Sequence, residues 1–211
     1  MDTDSLSLLS LSVPSPAGAD INAYAFEKNG SFSLTDNRTC GQPRRTQPCP
    51  TGCNREILRI HTTAPLTIVN FDEWQHDTED STCDYLIFDS GNNKNQFAFC
   101  ELTCSLGKYV NSGQDKTGKR AKAHSQMVET WKLISESANP VFQANILRYV
   151  TKIGIFGWRD RENGNTTGAM RSPKAFTRTP SSTAGILRFS DYTFGENFNF
   201  IQVKHPHIFP W

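Results

Sequence analysis

The pattern of apolar and polar positions is most informative in "CDYLIFDSGNNKNQFAFCELT", residues 83 to 103. There two short stretches rich in aromatic and β-favouring residues flank the turn-forming run "SGNNKN". This pattern predicts a β-hairpin. Upstream, "REILRIHTT" and "PLTIVNFDEW" read as two strands, the second running into the acidic loop "DEWQHDTED". From about Thr117 the spacing turns helical, with Ala123, Met127, Trp131 and Ile134 on one face, and "SANP" stops that helix at Pro140. A shorter helix is expected over 141 to 149. "VTKIGIFGW" then reads as a buried strand, and "GILRFS" and "NFNFIQVKH" as further strands. Strand, helix, strand in that order implies a crossover that lays the helix on one face of a sheet.

Residues 1 to 54 lack any lasting period and are broken by "PSPAGAD", "KNGS" and "GQPRRTQPCPTGC". They are expected to form an irregular extension ahead of an α/β domain spanning residues 55 to 211. The apolar part of "MDTDSLSLLSLSVPSPAGAD" has no basic start and is too short for a signal core or a membrane span, so a cytoplasmic protein without membrane contact is expected.

Charge changes the reading of the hairpin. Asp84 opens its first strand and Glu101 lies near the end of its second, where an antiparallel pair brings the two positions together. Alternation puts Phe99, Glu101 and Thr103 on one face and Cys100, Leu102 and Cys104 on the other. Facing carboxylates repel unless a cation or proton intervenes, and hard oxygen ligands suit Mg²⁺. A metal held there would activate water and neutralise charge growing on a phosphate. Each residue also has a plain structural reading: Asp84 as a strand cap or arginine partner, Glu101 as a buried salt-bridge member, Gln126 as a solvated helix residue.

The charge distribution extends this picture. Residues 1 to 101 carry 14 acids against 7 bases, and residues 102 to 211 carry 15 bases against 7 acids, although the net charge is only +1. An acidic centre beside a basic half suits a polyanion bound together with metal ions; two oppositely charged faces of an ordinary domain fit equally well.

An acid early in one hairpin strand, then E-x-[K] on the next, then a helix and a further strand resembles the PD-(D/E)XK, or restriction-endonuclease-like, nuclease superfamily. Here "CDYLIF" supplies Asp84, "FAFCELT" supplies Glu101, "AHSQMVETW" the helix and "KIGIFGW" the next strand, over roughly residues 65 to 160. The resemblance implies a mixed sheet with a central hairpin and crossover helix, and a metal-dependent nuclease acting on nucleic acid, DNA by preference. It assigns Asp84 and Glu101 as ligands of Mg²⁺ or Mn²⁺, with the Leu102 carbonyl as a third. Gln126 would position water or a substrate phosphate, although Thr130 stands where the related Q-x-x-x-Y element has tyrosine. Thr103 replaces the motif lysine, and a helix lysine, Lys122 or Lys119, is the candidate to supply the missing charge. If none does, the same scaffold is a catalytically silent binding or partner subunit. A small nuclease would also take its targeting from a protein partner or a second copy, as in a prokaryotic defence system.

Other signals are weaker. "GQDKTGKR", residues 113 to 120, nearly matches a phosphate loop, but Arg120 stands where the metal-binding hydroxyl belongs. As a basic stretch, Lys108, Lys116, Lys119 and Arg120 suit nucleic-acid phosphates better. Arg159, Arg161, Arg171, Lys174 and Arg178, with Phe176 among them, form a second one, beside Trp158 at a strand end. Six cysteines are expected to be free thiols. A zinc site would need Cys49, Cys53, Cys100 and Cys104 to converge. "HPHIFPW" reads as a docking tail.

Overall fold

The computed structural model describes residues 3–13, 15, 18–35, 56–75, 82–90, 95–105, 109–111, 117–136, 140–160, 185–194 and 198–211. Its strands are β1 (Ala25–Leu34), β2 (Leu58–Asn70), β3 (Tyr85–Asp89), β4 (Gln96–Ser105), β5 (Thr151–Asp160), β6 (Ile186–Phe194), β7 (Phe198–Lys204) and β8 (Ile208–Pro210). The helices are α1 (Thr3–Ser12), α2 (Phe71–Trp74), α3 (Lys119–Ser135) and α4 (Pro140–Leu147). The strands make one open mixed sheet in the order β1-β2-β3-β4-β5-β7-β6, with β8 beside β2. The pairs β1–β2, β2–β3, β3–β4 and β6–β7 are antiparallel, and the pairs β4–β5, β5–β7 and β2–β8 are parallel. The fold is thus α/β with antiparallel pairs in the majority.

The predicted hairpin is β3 and β4, with Tyr85 opposite Cys100 and Phe88 opposite Phe97. Asp89 closes its turn end by accepting the Gln96 N–H at 2.7 Å. The predicted helix is α3, which carries the chain from β4 over to the parallel strand β5. Its buried residues Ala123, Met127 and Ile134 recur at helical spacing and pack on Phe97, Phe99, Phe156, Phe198 and Phe200. Phe88 and Phe97 stack at 5.7 Å between centroids, and Phe99 meets Trp131 edge-on at 6.4 Å. Each phenylalanine buried in this way stabilises the fold by about 1.5–3 kcal/mol relative to exposure.

On the opposite face Tyr85, Ile87, Ala98, Cys100 and Leu102 pack against Leu58, Ile60, Leu66 and Ile68 of the long strand β2. Gly157 makes that close approach possible, because a Cβ there would lie 2.5 Å from Leu102 Cδ2 and 3.3 Å from Leu58 Cβ.

Several local expectations meet the structure here. Of the expected irregular extension, the described part up to Thr35 is ordered on the sheet: α1 buries Leu6 and Leu9 in the α3-side core, and β1 pairs along β2 from Ala25 opposite Val69 to Leu34 opposite Leu58, while residues 36 to 54 lie outside the described residues. The leucines of α1 follow no clean stripe, so the sequence hid the helix. The two strands expected over residues 55 to 63 and 65 to 74 are one strand, β2, followed by α2. Pro65 suggested a break, but the chain continues across a register shift between Lys28 and Gly30 of β1, where Gly30 adopts φ +74°. The shorter helix expected over 141 to 149 is α4, opened by Pro140, whose missing N–H costs nothing at that position. The C-terminal "HPHIFPW" forms β8, with Phe209 buried and the Trp211 indole donating to Asp89 at 2.7 Å. Among the described residues no helix is long and apolar enough to cross a membrane.

Candidate active site

The register that buries Phe97 and Phe99 against α3 turns Glu101 and Thr103 to the same face, as alternation predicted. Leu86 and Phe88 of β3 face that way too, and Asp84, one residue ahead of β3, meets the Glu101 side chain through its backbone N–H. Two reciprocal hydrogen bonds hold the pair where the hairpin ladder ends. Asp84 N–H donates to Glu101 Oε2 at 3.2 Å, and Leu102 N–H donates to Asp84 Oδ2 at 2.7 Å. Asp84 is buried and Glu101 half-buried. The Asp84 carbonyl accepts the Phe71 N–H at 2.9 Å, which fixes the strand entry against the start of α2.

α3 supplies the other side of this clamp. Gln126 and Thr130, one turn apart on its surface, both reach the segment ahead of β3. Gln126 Nε2 donates to the Thr82 carbonyl at 3.2 Å. Thr130 Oγ1 accepts the Cys83 N–H at 2.9 Å and donates to the Gln126 carbonyl at 2.8 Å. Gln126 is therefore placed on backbone, where it sets the position of Asp84. Burial pushes the Cys83 thiol far up; the Thr130 hydrogen bond opposes this, and Glu101 and Asp84 add to the rise. Cys100 is shifted upward for the same leading reason, with Asp84 next. Both thiols are buried and free.

The cations fall into two groups. Lys119 and Lys122 are exposed on the first turns of α3, with Lys122 one turn before Gln126. Arg120 turns inward. Its Nε donates to Gln202 Oε1 at 2.8 Å, its guanidinium lies 4.2 Å from the Phe189 ring centroid, and its Nη2 is buried without a hydrogen-bond partner among the described residues. Burial lowers its pKa, opposed by Tyr192. It is thus no member of an exposed basic loop. Lys108, Lys116, Gly113, Cys49, Cys53 and the stretch from Arg161 to Arg178 lie outside the described residues.

Sequence reasoning missed the residues that β7 contributes. Glu101 is in register with Phe156 and Phe156 with Gln202; one row further, Thr103 aligns with Trp158 and Trp158 with Lys204. These side chains share one face, at the carboxyl ends of three parallel strands, the position where open α/β sheets place their ligands. The period-two run Phe198, Phe200, Gln202, Lys204, apolar then polar, was the available signal.

For a metal, the donors fit a hard cation. Two carboxylates together at the end of a hairpin are oxygen donors of the kind Mg²⁺ takes alongside waters and substrate oxygens. Among the described residues no group of three or more His, Cys, Asp or Glu gathers to hold a metal. No protein-family model, curated protein or solved structure matches the chain.

Proposed function

We propose that the chain is a metal-dependent nuclease of restriction-endonuclease-like architecture that hydrolyses phosphodiester bonds of DNA, with Mg²⁺ or Mn²⁺ as its metal. The observation that supports this reading best is the joining of Asp84 and Glu101 at the end of the hairpin, where the Asp84 N–H donates to Glu101 Oε2 at 3.2 Å and the neighbouring Leu102 N–H donates to Asp84 Oδ2 at 2.7 Å. A parallel strand and a crossover helix follow in the order the superfamily resemblance implies. Asp84, Glu101 and the Leu102 carbonyl would hold the metal, which when bound supplies a Lewis acid and an activated water. Gln126 and Thr130 keep Asp84 in place through backbone. Lys119 and Lys122 are the exposed cations nearest the start of α3 and would meet the DNA backbone. Targeting through a protein partner or second copy, in a cytoplasmic defence system, belongs to the same proposal.

A second reading has its own support. Thr103 puts no charge beside a phosphate, and the two backbone contacts give each carboxylate a structural task. Under that reading the chain is a nuclease-like binding or partner subunit.

The deciding experiment compares cleavage of labelled DNA and RNA in Mg²⁺ or Mn²⁺ by wild type, Asp84→Asn and Glu101→Gln. The amide side chains keep a hydrogen-bond acceptor for Leu102 N–H and Asp84 N–H, so folding should persist. Metal-dependent cutting lost in both variants supports the nuclease. Absence of cutting on every substrate, with nucleic-acid binding intact in both variants, supports the silent subunit.

A further inference from the structure

β4 carries E-x-T and therefore offers no cation beside Glu101 from its own strand, but the sheet brings one in from β7. Thr103, Trp158 and Lys204 stand in one row on the Glu101 face. Two strand spacings separate the backbone of Thr103 from that of Lys204 by about 10 Å. The side chains shorten that gap. Trp158 Nε1 donates to the Ser105 carbonyl at 3.1 Å, so the indole leans toward β4, and Lys204 Nζ sits 4.9 Å from the centroid of that ring. The ammonium is thereby drawn from β7 over β5, toward the side where the carboxylates lie.

The adjoining row repeats this polarity. Glu101 is at one end, Phe156 in the middle and Gln202 at the other end, and Gln202 is held by Arg120, which is 9% exposed and has a buried Nη2 without a partner among the described residues. Acids just ahead of β3 and on β4 and cations from β7 and α3 thus flank the two aromatic residues of β5. A ligand that matches both ends carries negative charge toward the cations and oxygen atoms toward a metal at the acids. A phosphodiester does both.

We infer that Lys204, steadied on Trp158 and backed by Arg120, binds the substrate phosphate next to Asp84 and Glu101, in the role for which β4 has no lysine. This rests on the reading of the carboxylates as a nuclease pair. Lys204 acts by charge on the phosphate oxygens, with no proton transfer.

The test measures binding of a fluorescein-labelled single-stranded oligodeoxynucleotide by anisotropy, in EDTA and in Ca²⁺, and cleavage of the same strand in Mg²⁺. Wild type is compared with Lys204→Met, Lys204→Arg and Lys132→Met, and melting curves confirm that each variant folds. Lys132 is exposed on α3 and bonded to Glu129 at 2.7 Å, so its variant reports the loss of a charge elsewhere. Lys204→Met should weaken binding about tenfold at low salt and reduce the salt slope by about 1, while Lys204→Arg restores both and Lys132→Met changes neither. If wild type cuts, Lys204→Met should lose about 100-fold or more in cleavage rate. Cutting that is unchanged in Lys204→Met overturns the Lys204 assignment and leaves the carboxylate pair standing. Binding that depends on Lys204 without any cutting keeps the phosphate site and removes the nuclease. Binding indifferent to Lys204, in a variant that folds, overturns the inference.

Discussion

Replacing Thr130 with valine removes one hydroxyl at the point where α3 holds the entry to β3. Thr130 is fully buried, and its Oγ1 accepts the Cys83 N–H at 2.9 Å while donating to the Gln126 carbonyl at 2.8 Å. Valine has nearly the same shape, so no cavity opens, but the Cys83 amide is left in an apolar setting without its acceptor. A buried donor stranded in this way costs about 1–3 kcal/mol. For a chain of this size each kcal/mol lowers Tm by about 2–4 °C, which predicts a fall of about 2–12 °C. Serine keeps the oxygen and should recover most of the loss. Hydrogen exchange gives the local readout: protection of the Cys83 amide should fall by about 5- to 150-fold, the same free energy converted at 1.4 kcal/mol per factor of ten. Asp84 is the next residue, so loosening the segment should also lower whatever activity depends on it. An unchanged Tm together with unchanged protection at Cys83 would refute the view that this hydroxyl positions the site.

Gly157→Ala should destabilise by about 1–3 kcal/mol, since the new methyl meets Leu102 Cδ2 at 2.5 Å. In a denaturant-melt cycle with Leu102→Ala the double variant should be less damaged than the sum of the singles. His205 Nε2 lies 3.0 Å from buried Glu56, and burial lowers the His205 pKa below 6.5, only partly offset by that hydrogen bond. The unfolded chain therefore takes up this proton first. The contribution to stability is present above 6.5 and is lost as pH falls through the folded value, so melts between about pH 7.5 and about pH 5 should show a slope that shrinks in His205→Gln. Native protein treated with iodoacetamide should label Cys104, which is partly exposed, before Cys83 or Cys100, whose thiols are buried and shifted up. Peptide mass mapping with and without denaturant distinguishes the three.

Much of the β3 to β5 region was legible because its signals are local. Turn formers between two aromatic stretches mark the hairpin, and a period of two places Glu101 with Phe99 and apart from Leu102 without reference to the rest of the chain. The helix was legible through Ala123, Met127, Trp131 and Ile134 for the same reason. What escaped depends on distant partners. β1 reads as polar in its middle, "EKNGS", because it lies at the edge of the sheet, and only pairing with β2 makes it a strand. α1 shows no clean stripe, yet Leu6, Leu9 and Val13 are all buried. Arg120 looked like part of a basic loop because nothing nearby in sequence announces that Gln202 and Phe189 will receive it.

On the proposed reading, Lys204 shows why a search along one strand can mislead. Searching for the missing lysine along the chain leads to α3, since Lys119 and Lys122 follow Thr103 within twenty residues. The sheet measures nearness differently. β7 reaches β5 only after β6 has been added outside it, so a residue 101 positions beyond Thr103 returns to the same row of the same face. Parity selects which residues of β7 face the carboxylates: Phe198 and Phe200 complete the floor under α3, and the next two positions of that parity are Gln202 and Lys204. An apolar residue at position 204 would extend the core past the point where α3 covers it, so lysine, with a long stem to lay on Trp158 and a charge to carry beyond it, meets the packing and the chemistry with one side chain. The two demands separate on substitution. Methionine at 204 preserves the stem and the contact with the indole but removes the charge, whereas alanine removes both, so a phosphate role predicts equal binding defects with unequal stability, and a packing role predicts that methionine is silent.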